Sequence, residues 1–174
     1  LTPFVLFSPY AGQMADRYSK RSIVVFWKLA EVGFMLLAAV GFSLLHASDL
    51  LGVPTQTLAM WSAGIVVSCV FLMGLHSTFF VPAKYGIMPE ILHPHILSRG
   101  NGFLEGSSFS AQIFGTALGG VLYLLCKSEI REGVLIPGHE WAIGLVLVAL
   151  SSIGTVTAVL MEKVPPAAPH VPVN

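Results

Sequence analysis

Asn101, Glu105, Ser108 and Gln112 recur at i, i+4, i+7 and i+11 in an otherwise apolar run. At about 100° per residue they fall in one helical stripe about 60° wide. Glu105 has no oppositely charged residue at i±3 or i±4. Within a membrane, such a carboxylate is paired across helices, protonated, or open to a water-filled cavity. Hydrogen bonding between helices is the plainer use of such residues. Four polar groups on one face exceed what helix packing needs, so the stripe is read as a cavity lining. A second pair, Lys28 and Glu31, stands at i and i+3 in another apolar run, where one turn brings both to the same face. Two readings fit it: a step in a substrate or proton path, or an internal ion pair that locks helix packing.

Lys84 follows a third apolar run, where it would meet anionic headgroups or serve as a snorkelling end-anchor. His76 lies inside that run and reads as a packing or polar-contact residue. The other histidines are scattered without metal-ligand spacing, and no cofactor is implied. Cys69 and Cys126 both sit in apolar runs and read as small buried side chains, not a disulfide. No Ser/His/Asp constellation, phosphate-binding loop or paired-carboxylate signature points to an enzyme.

The elements that must position these residues are membrane spans. The chain has 174 residues, 55% hydrophobic and only 10% charged. A water-facing domain carries about 25% charged residues. Net charge is zero, which gives no support to nucleic-acid binding. Residues 1–15 are apolar but shorter than the roughly 20 a full span needs. Complete spans are expected at about 22–45, 58–80, 102–126 and 141–161. Gly115, Gly119 and Gly120 lie in the third, and the spacing of Gly115 and Gly119 permits close helix approach. Pro82 and Pro89 are expected to end or bend helices in the connection 81–101. The stretch 164–174 reads as a Pro-rich linker, with residues 1–163 as a partial transmembrane bundle. The whole is expected to be a fragment with neighbours missing on both sides.

Basic residues orient the spans. The first hairpin holds Arg17, Lys20 and Arg21, the third connection Lys84 and Arg99, and the tail Lys163. The intervening connections hold only Lys127 and Arg131. The positive-inside rule therefore places the first hairpin, the third connection and the tail in the cytoplasm. The fold class is an all-α polytopic transmembrane bundle, because open strands leave their backbone unsatisfied in lipid.

The hairpin Gly12-Gln13-Met14-Ala15-Asp16-Arg17-Tyr18-Ser19-Lys20-Arg21 resembles the signature loop of the major facilitator superfamily. Gly12, Asp16, Arg17, Lys20 and Arg21 fill its pattern, with Ser19 where glycine is usual. The resemblance implies that the chain covers roughly helices two to six, in the N-terminal half of that fold, and that the loop helps gate alternating access. The segment Gly115-Thr116-Ala117-Leu118-Gly119-Gly120 is similar to the end of the superfamily's antiporter motif, with Thr116 for proline.

A more specific resemblance lies in Val81-Pro82-Ala83-Lys84-Tyr85-Gly86-Ile87-Met88-Pro89-Glu90 and Arg99-Gly100-Asn101-Gly102-Phe103-Leu104-Glu105-Gly106. Both are similar to segments of the lysophospholipid transporters. That resemblance implies movement of lysophospholipids across the bacterial inner membrane for re-acylation. The partners it implies are membrane lipids, the lysophospholipid, the remaining helices of the parent chain, and an acyltransferase or acyl-carrier-protein ligase. Lys84, Asn101, Glu105, Ser108 and Gln112 are then expected around the substrate, with Lys28–Glu31 structural. The alternatives are another proton-coupled facilitator or antiporter for a small molecule, or the transporter half of a bifunctional acyltransferase and acyl-carrier-protein ligase.

Overall fold

A computed structural model describes residues 2–136 and 138–162. The side chain of Asp16, Lys163 and the Pro-rich stretch 164–174 lie outside what is described. Helix α1 is Thr2–Arg17 and α2 is Lys20–Ser43, extended by a 3-10 turn at Leu44–Ala47. One-turn α3, Ser48–Leu51, leads through Gly52, whose φ of 62° ends it, to α4 at Thr55–Gly86. One-turn α5, Met88–Ile91, and a 3-10 turn at Pro94–Ile96 lead to α6, Leu97–Cys126. Strands β1, Glu129–Arg131, and β2, Val134–Ile136, precede α7, Glu140–Val159. Four stretches are long and apolar enough to cross a membrane: Lys20–Ala47, Thr55–Ile91, Pro94–Cys126 and Glu140–Val159.

The 32 residues of α4 make it about 48 Å long at ~1.5 Å per residue, beyond a hydrocarbon core of about 30 Å. A helix of that length tilts or carries some of its turns beyond the core. The helix continues through Pro82, where the sequence suggested an end. Proline deprives one turn of its hydrogen bond but need not break a membrane helix whose neighbours re-satisfy the backbone. The connection to α6 is correspondingly shorter than the expected 81–101.

Helix α2 is the centre of the bundle, packed along α7 and along α4, with α1 against α4. Small residues permit the closest approach. A Cβ on Gly144 of α7 would lie 2.6 Å from the Cα of Ala39, and one on Gly41 would lie 3.0 Å from Ile65. Thr155 Oγ1 donates 3.0 Å to the Lys28 carbonyl and joins the same two helices. The core cluster is Ala15, Ile23, Val24, Ala83 and Ala158, flanked by Trp27, Phe80 and Met161. By contrast, α6 touches the bundle lightly and leaves Phe103 and Phe114 80% and 74% exposed. Such outward apolar faces suit lipid or further helices.

The β1–β2 hairpin was not foreseen from the sequence. It pairs Glu129 with Ile136 and Arg131 with Val134 across a two-residue turn, Glu132 (φ 52°) and Gly133 (φ 78°). Paired positive φ values match the right-handed twist of a short hairpin. It lies between spans, outside the stretches that would enter lipid. The Gly138 carbonyl accepts from the His46 ring, N···O 2.8 Å, tying this loop to the one after α2.

Candidate functional site

Lys20, at the first position of α2, is buried and ion-paired with Glu90 in α5. Its methylenes cross Gly86, where a Cβ would meet the Lys20 Cε at 2.7 Å. The hairpin is thus latched onto the end of α4. Arg21 turns the other way. Its Nε donates 2.7 Å to the Met161 carbonyl and its Nη2 donates 2.7 Å to the Val159 carbonyl. These carbonyls lie at and just past the last turn of α7, at the negative end of its dipole. Two of the three hairpin cations therefore knit three helix ends together on one face. Arg17 is exposed, its guanidinium 5.7 Å from the Tyr18 ring centre, and nothing lies within 4 Å of a Cβ built on Gly12.

Lys28 and Glu31 form the ion pair that their spacing suggested, Nζ···Oε2 2.8 Å. The structure adds a third member. His76 of α4 is buried, and its Nε2 lies 3.4 Å from the same Glu31 oxygen. That nitrogen has no hydrogen-bond partner among the described residues. The ring stacks on Phe80 at 5.2 Å and stands edge-on to Trp27 at 5.8 Å. Lys28 Nζ also lies 5.4 Å from the Phe80 ring centre, a cation–π distance.

Lys28 and Lys84 line one cavity of about 320 Å³ between α2, α4, α5, α6 and α7. Its walls are otherwise mostly apolar, with Val24, Phe80, Ile87 and Leu104 among them. Gly154 leaves room for the Lys28 side chain: a Cβ there would lie 3.1 Å from Nζ. Lys84 Nζ donates 2.7 Å to Ser108 Oγ, which itself donates 2.7 Å to the Leu104 carbonyl. Among the described residues Lys84 makes no ion pair. The arrangement offers a cation with spare donors to an anionic group, beside apolar walls for a chain.

The four-residue stripe divides. Ser108 meets Lys84, and Glu105 accepts a hydrogen bond from the Tyr85 hydroxyl at 2.7 Å. Asn101 and Gln112 are exposed on α6, away from the cavity wall. Nothing described lies within 4 Å of a Cβ on Gly115, Gly119 or Gly120, so their close approach is not to this bundle. Sequence reasoning missed the partnerships of Tyr85, Gly86 and Glu90, although all three stand in the segment richest in recognisable pattern. It also missed His76 as the third member of the ion-pair cluster. The available signal was a histidine set among apolar residues of a span. Cys69 and Cys126 are buried and free.

No family model matches the chain, and no solved structure matches it. Among curated proteins, the lysophospholipid transporter LplT of Salmonella arizonae is 31% identical over 122 residues, 68% of this chain and 24% of the relative. The same-named transporter of Pectobacterium carotovorum is 29% identical over 127 residues, and that of Escherichia coli O1:K1 is 29% identical over 120. The chain spans about a quarter of the length of the curated relatives it matches.

Proposed function

We infer that this chain, a homologue of the lysophospholipid transporters of the major facilitator superfamily, serves a secondary transporter that moves lysophospholipids across the bacterial inner membrane. It is a multi-pass membrane protein with four membrane-capable spans. In this reading α1 is the second helix of the facilitator fold, and α2, α4, α6 and α7 are the third to sixth. The face carrying Lys20, Arg21, Glu90 and the end of α7 is cytoplasmic, so the stretch 164–174 starts a cytoplasmic linker. The hairpin Gly12 to Arg21, Asp16 included, takes part in gating. An acyltransferase or acyl-carrier-protein ligase consumes the delivered lysolipid.

The observation that carries this reading is Lys84. Its ammonium lines a cavity with apolar walls, spends one of its three donors on Ser108, and meets no carboxylate among the described residues. A lysophospholipid supplies what is missing, a phosphate for the ammonium and an acyl chain for the walls. Glu105, engaged by Tyr85 next to Lys84, contacts the rest of the headgroup or its water shell, and Asn101 and Gln112 meet the substrate outside this cavity as it passes along α6.

The test is uptake of labelled lysophosphatidylethanolamine into proteoliposomes holding the full-length protein that contains this chain. Loss of a charge-assisted contact of about 1.5–3 kcal/mol lowers Lys84→Ala uptake by about tenfold or more. Glu105→Gln is expected to slow it as well. Unchanged uptake in both variants removes the site assignment, and no uptake by the unaltered protein removes the function.

A further inference from the structure

We propose that Glu31 and His76 form a proton-binding site coupled, through Lys28, to an anionic headgroup in the adjoining cavity. The inference rests on the transport reading for its ligand and names the ion that would move with it. A structural ion pair needs only Lys28 and Glu31, already joined at 2.8 Å. His76 is superfluous to that pair, yet it is buried with Nε2 3.4 Å from the shared oxygen and without a hydrogen-bond partner among the described residues. The ring's polar neighbours on α2 are two acceptors, the Glu31 carboxylate and the Trp27 main chain, and the Lys28 ammonium bound to the same carboxylate. A neutral imidazole carries one N–H and can serve one of the acceptors, whereas an imidazolium carries two. A neutral ring that serves Trp27 leaves Nε2 without a partner beside Glu31, a contact that a second proton would complete.

The charges around the ring are few. From α2 they are Lys28 and Glu31. Along α4, the next titratable groups are Cys69, seven residues before, and Lys84 and Tyr85, eight and nine residues on, all about 10 Å or more away by helical rise. Helix α1 reaches the same turn of α4 through Phe7 and Tyr10 on Phe79, so Tyr10 is its titratable member. Helix α7 brings Gly154 and Thr155 to Lys28 and no charge. From α6, Glu105 is engaged by Tyr85.

With Lys28 charged, Glu31 ionised and His76 neutral, the cluster sums to zero. A proton taken from water onto the imidazole makes it positive by one and lets Nε2–H donate to Glu31. The carboxylate is then shared between His76 and Lys28, and Lys28 is freer to serve the cavity that it lines. In a low-dielectric interior an added positive charge is costly unless an anion neutralises it. A phosphate between Lys28 and Lys84 does so. Proton and anion each favour the other's binding, and linkage makes the coupling equal in both directions. Phe80 joins the two sites physically, stacked on His76 and lining the cavity.

The experiment uses the purified full-length protein in weakly buffered detergent solution. Lysophosphatidylethanolamine is added and proton uptake recorded, and proteoliposome transport is compared at about pH 6 and about pH 8, which bracket ordinary imidazole titration. The expected result is proton uptake on ligand addition and severalfold faster transport at the lower pH. His76→Gln is expected to keep binding while losing both effects. Ligand binding without proton uptake, at a pH-independent transport rate, overturns the proposal and leaves the transport reading intact. If the lysolipid neither binds nor moves, the transport reading fails. The proton site is then judged from the nitrogen-15 histidine spectrum, with His76 assigned by its loss in His76→Gln. A titration displaced by Glu31→Gln supports the site, and one unaffected by Glu31→Gln overturns it.

Discussion

Lys20 and Glu90 are 70 positions apart, yet they form an ion pair between the start of α2 and the one-turn α5 that follows α4. The pair joins the basic hairpin to the segment that most specifically resembles a transporter family. Gly86 makes room for it, because the lysine stem lies where a Cβ would otherwise sit. The three residues are therefore one device: a cation, its counter-ion, and a gap through which the cation reaches it.

Breaking that device is expected to be costly. Both side chains are largely withdrawn from solvent, at 7% and 18% exposure. Glu90→Ala or Lys20→Ala leaves a mostly buried charge without its partner, at about 3 kcal/mol. The double variant is expected to cost less than the sum of the two. A double-mutant cycle in detergent unfolding measures the coupling, and strict additivity would contradict the pairing.

Arg21 caps α7 with two separate donors. Arg21→Ala is expected to lose about 1–2 kcal/mol and to raise amide exchange in the last turn of α7. Arg21→Lys recovers only part, since an ammonium lacks the planar fork that reaches both carbonyls. Exchange unchanged at Val156 to Val159 in the alanine variant would contradict the cap.

Glycines at the two helix faces should differ sharply. Gly144→Ala forces a methyl to within 2.6 Å of the Ala39 backbone and is expected to destabilise the α2–α7 contact by about 1–3 kcal/mol. Gly115→Ala meets no described atom within 4 Å. In the isolated bundle it is expected to be neutral to stabilising, by up to about 1 kcal/mol, since alanine restricts the unfolded chain and favours the helix. Unfolding of the two variants side by side distinguishes a packed glycine from a free one.

The orientation is testable by labelling. With Cys69 and Cys126 replaced by alanine, a cysteine at Tyr18 is expected to react with an impermeant maleimide only from the cytoplasmic side. One at Ile130, on the exposed hairpin strand, is expected to react only from the opposite side. Both reacting from one side would overturn the assigned topology.

The sequence alone determined what depends on composition and short spacing. Long apolar runs specify helices that satisfy their own backbone in lipid, so the four spans were legible before any contact was known. The Lys28–Glu31 pair was legible because one helical turn makes it. The stripe on α6 was legible as a pattern but not as a site. Helical periodicity puts Asn101, Glu105, Ser108 and Gln112 on one side, but only packing selects Glu105 for Tyr85 and Ser108 for Lys84. Tertiary structure alone decided that Lys20 finds Glu90, that Arg21 reaches carbonyls some 140 residues away, and that His76 joins Glu31. It also decided that Lys28 and Lys84 share one cavity. The physical reason is common to all of these. They are contacts between helices, set by how small residues such as Gly144, Gly41 and Gly86 let the helices approach, and no local period along the chain encodes that approach.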